Sequence, residues 1–490
     1  NWKKWLEMCP RLTDHYNCLV LEMNYRYNII GISNYLLGLM AVSVLFLGRD
    51  SQIIDFSLVV VFSSIFVLLY IGNKIVRKRV IEIFQVFFLL YVVMSYVIPF
   101  IASISIPLYV DYIKDFTLHR DDQERWILMA LYDCISIQIS IILAQAFVSK
   151  QRITLPKINL NRASVLVIAM ILLTLIFRIY FNTGKYVDGE MAANPISQIL
   201  QPNYIIYIVI MAIAAIQYKH LNHIYEYGIR EKLLVFFLAI VWLSIEVYNG
   251  SRSGILWIFL LSMTGLMLNR GTLSRKGLIM LGLIVVLSVP AYVFSTFMKD
   301  TGVELVAHFF RGNDIFSGIW IAISQRVGLL DNLFQISNET YNLQIYKEIG
   351  FFQVIKSTFD LIMPGTYFPG VYSQSALNQV WLYDYNVSDI ATGWSSISVS
   401  LYATNYLYFG MVGSFFVTGF VNFLYIITTS RLILLNSSSF GPFMGAFLMF
   451  SYQPMFLTSF GYEYLVRWVV FGVFHIYLWT KLLTYKKIKE

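Results

Sequence analysis

The chain alternates between long apolar runs and short charged connections, and that alternation limits its possible folds more than any other feature. An α-helix of about 20 apolar residues matches the ~30 Å hydrocarbon thickness of a bilayer. Runs of this kind occupy residues 28–48, 53–72, 81–109, 126–148, 162–181 and 203–219. They return at residues 231–249, 253–269, 277–298, 405–430, 441–459 and 464–484. The expected fold class is all-α, a polytopic membrane protein with about twelve transmembrane helices and one large helical extracytoplasmic loop.

Composition agrees, since 58% of the residues are hydrophobic and 13% charged, against roughly 45–50% and 25% in soluble globular chains. The net charge of +8 does not point to nucleic acid, because the basic residues form short clusters between apolar runs and no Lys/Arg-rich soluble domain accompanies them. Cys9, Cys18 and Cys134 make no disulfide framework. The histidines are scattered, and His220 with His223 reads as a chance pair rather than a ligand set, so neither a metal nor another cofactor is expected.

The basic residues also orient the chain. Lys74, Arg77, Lys78 and Arg79 lie on one face with Lys150, Arg152, Lys157 and Arg162, then Lys219, Arg230 and Lys232. Arg270, Arg275, Lys276, Arg431, Lys481, Lys486, Lys487 and Lys489 continue the same face, which the positive-inside rule assigns to the cytoplasm. The opposite face carries acidic runs such as Asp121, Asp122 and Glu124. The predicted order is a cytoplasmic leader over 1–27, nine helices over 28–298, an extracytoplasmic loop over 299–404, three helices over 405–484 and a cytoplasmic tail over 485–490. Within the loop, residues 303–310, 315–333 and 351–363 are apolar or amphipathic and suit a membrane surface.

Charges at the edges of spans are costly and point to function. Here they gather toward the outer face. Arg178 stands near the outer end of its span, and Arg252 sits in the turn Gly250-Ser251-Arg252-Ser253-Gly254 with Glu246 just before it. Glu463 and Arg467 open the last span, while Arg311 and Arg326 lie beside the apolar segments of the large loop. Five arginines on one face suit a phosphorylated ligand, because guanidinium stays charged and holds phosphate through two parallel hydrogen bonds. The backbone N–H groups of the Ser251–Ser253 turn, at the start of a span, add an anion site. Structural alternatives stand beside this reading: Glu246 can neutralise Arg252 or Arg178, Glu463 can neutralise Arg467, and an interfacial arginine can snorkel to lipid headgroups. Asp133, about two turns into its span, reads as a buried structural carboxylate rather than a proton carrier.

Several of these segments resemble the Wzy-type oligosaccharide repeat-unit (O-antigen) polymerases of bacteria. The resemblance rests on the Gly250–Gly254 turn, the single large external loop, and the exit from that loop. The exit reads Gly393-Trp-Ser-Ser-Ile-Ser-Val-Ser400, then Leu401-Tyr-Ala-Thr-Asn-Tyr-Leu-Tyr-Phe-Gly410 and Met411-Val-Gly413. It is similar to the family's tyrosine-rich segment ending in Phe-Gly-x-x-Gly. The stretch Ile362-Met-Pro-Gly-Thr-Tyr-Phe-Pro369 and the Arg178 to Gly189 spacing are further points of likeness. Thr404 stands where the family often has a carboxylate, and the histidine found near this exit in the related ligases is missing here.

The resemblance implies a metal-independent glycosyltransferase at the outer face of a bacterial inner membrane. Its substrates would be oligosaccharide repeat units on undecaprenyl diphosphate, with a flippase and a chain-length regulator as pathway partners and membrane lipids around it. Arg252 and Arg311 would hold the donor diphosphate. Arg178, Arg326 and Arg467, with Ser251 and Ser253, would make further substrate contacts, and Tyr402 and Tyr406 would face the glycan. Glu246, Glu463, Asp314 and His308 all remain candidates for the base. An O-antigen ligase or other lipid-phosphate glycosyltransferase, and a flippase for lipid-linked sugars, are the competing readings. A flippase would want charges through both leaflets.

Overall fold

The computed structural model describes residues 120–148 and 401–435 without a break, and most positions from 64 to 92. It also describes residues 186, 187, 190 and 191, four positions between 352 and 359, and scattered positions in 440–452 and 469–481. The predicted helices at 28–48, 162–181, 203–219, 231–249, 253–269 and 277–298 lie outside the described residues, as does most of the large loop.

Three helices carry the described core: α1 (Arg79–Val92), α2 (Arg120–Phe147) and α3 (Leu401–Ile433). Helical positions also recur at 64–75, 440–452 and 469–481, where three further apolar runs were predicted. Two helical stretches, Leu128–Phe147 and Leu401–Ile433, are long and apolar enough to cross a membrane. The one pair of strands among the described residues is a two-rung antiparallel ladder, β1 (Tyr186–Val187) with β2 (Glu190–Met191). Its connecting dipeptide, Asp188-Gly189, is the sequence a two-residue hairpin favours. Helix α2 begins at Arg120, six residues before the predicted start of its span at 126.

Pairwise contacts give the helices their directions. Tyr91 of α1 meets Asp133 of α2 and Gln85 meets Gln138, so the sequence numbers run oppositely and the pair is antiparallel. Tyr132 packs on Phe415, Ser140 on Gly419 and Phe147 on Phe423, so α2 and the later part of α3 run the same way. Residues 440–452 return antiparallel to α3, with Gly445 against Ile433, Tyr425 on Leu448 and Asn422 on Tyr452. Residues 469–481 turn back again, with Gly472 against Phe447 and Tyr477 beside Phe440.

Helix α3 is not one rod. Gly410 has φ 69° and ψ −175°, a conformation essentially confined to glycine, and it divides α3 into arms 401–409 and 411–433. A straight helix would hold residues 13 apart at about 20 Å, yet Asn405 and Thr418 are hydrogen-bonded at 2.8 Å. The arms therefore fold toward one another. Gly413 allows the close approach: a β-carbon there would stand 2.7 Å from Cβ of Phe409. The predicted span 405–430 falls across this break: the arm 411–433 is about 35 Å long, enough to cross a bilayer, and a short returning arm precedes it.

The faces of the spanning arm are sorted in the manner of a membrane helix. Ser414, Thr418, Asn422, Tyr425 and Thr429 recur at helical spacing and are buried, whereas Val412, Phe416, Phe420 and Leu424 are exposed, Phe416 by 66%. Small and polar groups face protein and large apolar groups face outward, which is the arrangement lipid favours. Phe352, Ile355, Lys356 and Phe359 are helical and exposed, and their spacing puts them on one side of a turn. An outward apolar stripe with a lysine suits the membrane surface expected of residues 351–363.

Candidate functional site

The described residues with most polar chemistry lie where α1, α2, the returning arm and residues 440–452 converge. Asp133 is at their centre, 1% exposed. The Tyr91 hydroxyl donates to Asp133 Oδ2 at 2.5 Å. The same carboxylate is within electrostatic reach of Tyr402 on the returning arm and Tyr452 on the far side. A buried carboxyl group is costly without partners, so this junction is a place where packing and polarity constrain each other.

Five residues farther along α2, Gln85 and Gln138 exchange reciprocal amide bonds at 2.9 Å and satisfy one another. They fill the space beside Gly72, where any β-carbon would collide with the Gln138 amide. Ser136 donates to the Asp133 carbonyl at 2.8 Å. Ser140 lies 2.6 Å from the Ser136 carbonyl and 2.7 Å from that of Gly419, so its one proton ties α2 to α3.

A second chain of bonds starts on the returning arm, whose residues from Leu401 to Leu407 are all buried. Asn405 Nδ2 donates to Thr418 Oγ1 at 2.8 Å, and Asn422 Nδ2 donates to the Thr418 carbonyl at 2.9 Å. Tyr452 then donates to Asn422 Oδ1 at 2.9 Å while its ring meets the edge of Phe84. Across the break, Tyr402 donates to the Met411 carbonyl at 3.2 Å, and Ser414 donates to the same oxygen at 2.8 Å. Thr404 contributes a fully buried hydroxyl with no hydrogen-bond partner among the described residues.

Of the predicted site residues, Tyr402 and Tyr406 are described. Both are buried and both stand on the returning arm, with the Tyr402 hydroxyl engaged in bridging the break. Arg178, Glu246, Ser251, Arg252, Ser253, His308, Arg311, Asp314, Arg326, Glu463 and Arg467 lie outside the described residues. The residues that sequence reasoning passed over are uncharged: Tyr91, Gln85, Gln138, Asn405, Thr418, Asn422 and Tyr452. Their signal was present, as Thr418, Asn422 and Tyr425 sit one turn apart within an apolar run.

Among the described residues no three His, Cys, Asp or Glu side chains group as a metal site. What they can do is hold geometry: a buried acid, an amide pair and a stapled turn fix several helices against each other. In comparisons with known proteins, no family model, no curated protein and no solved structure matches this chain.

Proposed function

We propose that this protein polymerises oligosaccharide repeat units carried on undecaprenyl diphosphate, at the outer face of a bacterial inner membrane. The observation that carries the reading is the turn at Gly410. The Phe409-Gly410-x-x-Gly413 segment, on which the likeness to repeat-unit polymerases partly rests, is where α3 folds back, and both glycines are required there by geometry. The segment therefore has a definite physical task at the point where the long loop rejoins the membrane helices.

The twelve-span layout, with both termini cytoplasmic, belongs to the same proposal. Two spans that run in the same direction need an odd number of crossings between them. The parallel course of α2 and the arm 411–433 suits the five spans assigned to the intervening sequence. The antiparallel turns at 422–452 and 440–477 suit the alternation of the last three.

In the proposed reaction an acceptor sugar hydroxyl attacks the anomeric carbon of the donor. The bond from that carbon to the bridging phosphate oxygen breaks, and undecaprenyl diphosphate leaves with the electron pair. Arg252 and Arg311 stabilise the charge growing on that oxygen. Arg178, Arg326 and Arg467 and the Ser251 and Ser253 turn position the two chains, and Tyr402 and Tyr406, buried on the returning arm, act by shaping that arm. One of Glu246, Glu463, Asp314 and His308 accepts the hydroxyl proton. The test supplies purified protein with lipid-linked repeat units and no nucleotide sugar. A ladder of longer glycans supports the reading, and unchanged repeat units overturn it.

A further inference from the structure

We propose that Asn405 is a positioning residue for the glycosyl transfer, setting through Thr418 the angle between the returning arm and the spanning arm of α3. The inference rests on the polymerase reading above. Gly410 cannot set that angle by packing, because nothing lies within 4 Å of the position a β-carbon would take. Contacts between the arms are then one means of fixing the angle. One of these, from the Tyr402 hydroxyl to the Met411 carbonyl, ties the returning arm to the first residue after the break.

The Asn405 to Thr418 bond reaches farther. It joins a residue five positions before Gly410 to one eight positions after it, so it anchors the returning arm about two turns along the other arm. Thr418 is itself held to a fixed body, since Asn422 bonds its carbonyl and Tyr452 bonds Asn422. Asn405 and Thr418 are both fully buried, so water does not compete for the bond. On the arm, Tyr402 and Tyr406 stand three positions before and one after Asn405. Any change in the angle moves both tyrosines, and with them the end of the long loop, relative to Asp133.

The test uses the full chain, purified, with undecaprenyl-diphosphate-linked repeat units. Asn405→Ala and Thr418→Val should each slow ladder growth roughly 10- to 100-fold with little change in KM, as a small misplacement of reacting groups does. The double variant should be no slower than the slower single variant, because both remove one bond. With Cys9, Cys18 and Cys134 replaced, Asn405→Cys with Thr418→Cys should form a disulfide or accept a short bis-thiol bridge. The bridged form should polymerise faster than the reduced form. Additive losses in the double variant, a bridged form no faster than the reduced one, or failure to bridge would each overturn the proposal. A wild-type protein that makes no ladder at all would instead remove the polymerase reading on which it depends, whereas the bridging yield reports on the turn alone.

Discussion

Tyr91 and Asp133 stand on antiparallel helices and share a hydrogen bond of 2.5 Å, with the carboxyl group 1% exposed. Removing the donor should therefore cost more than removing a surface contact. Tyr91→Phe leaves a buried acid short of one partner and should lower stability by about 1–3 kcal/mol. Asp133→Asn keeps an acceptor oxygen for Tyr91 and should lose less. Thermal unfolding of the two variants in the same detergent orders them, and the reverse order would contradict this account of the pair.

Gly410 and Gly445 should fail for different reasons. A β-carbon at Gly410 has free space but a forbidden backbone, so Gly410→Ala should cost about 1–3 kcal/mol through strain alone. At Gly445 it would stand 2.5 Å from the Ile433 backbone nitrogen, where no side chain can move aside. Gly445→Ala should accordingly push residues 440–452 away from α3. In a chain with paired spin labels on these two segments, the distance should grow for Gly445→Ala and stay unchanged for Gly410→Ala.

The two faces of the arm 411–433 predict opposite accessibilities. Nitroxide labels at Phe416 and Phe420, exposed by 66% and 61%, should collide readily with oxygen dissolved in lipid. Labels at Thr418 and Asn422 should not, since both positions are buried in protein. Replacing Asn422 with Leu should also release Tyr452 and destabilise the protein by about 1–2 kcal/mol, whereas Phe420→Leu should be nearly neutral. Equal oxygen accessibility on both faces would remove the assignment of a lipid side.

The periodicity of the sequence revealed the helices but not the turn. Apolar runs marked α2 and α3 because a spanning helix needs length and low charge, and both properties are local. The fold-back at Gly410 escaped because hydropathy carries no information on the sign of φ; Gly410 and Gly413 were visible only as parts of a resemblance. The burial of Asp133 was legible, as a lone carboxylate in an apolar run has few other places to go. Its partner was not, because Tyr91 stands 42 residues away and tyrosine is equally at home on a membrane interface. Asn405, Thr418 and Asn422 were passed over since charge, rather than uncharged polarity, guided the search for chemistry.

The central claim, that fixed positive charge at the outer face drives polymerisation of lipid-linked sugars, is tested most directly by the rate of ladder growth with Arg252 replaced. Arg252→Ala should reduce that rate at least ~100-fold at equal protein, the size expected when a group stabilising transition-state charge is lost. Arg252→Lys, which keeps charge but loses the two-pronged hydrogen bond, should fall between the alanine variant and the native protein. A ladder that grows at the native rate in Arg252→Ala would contradict the account.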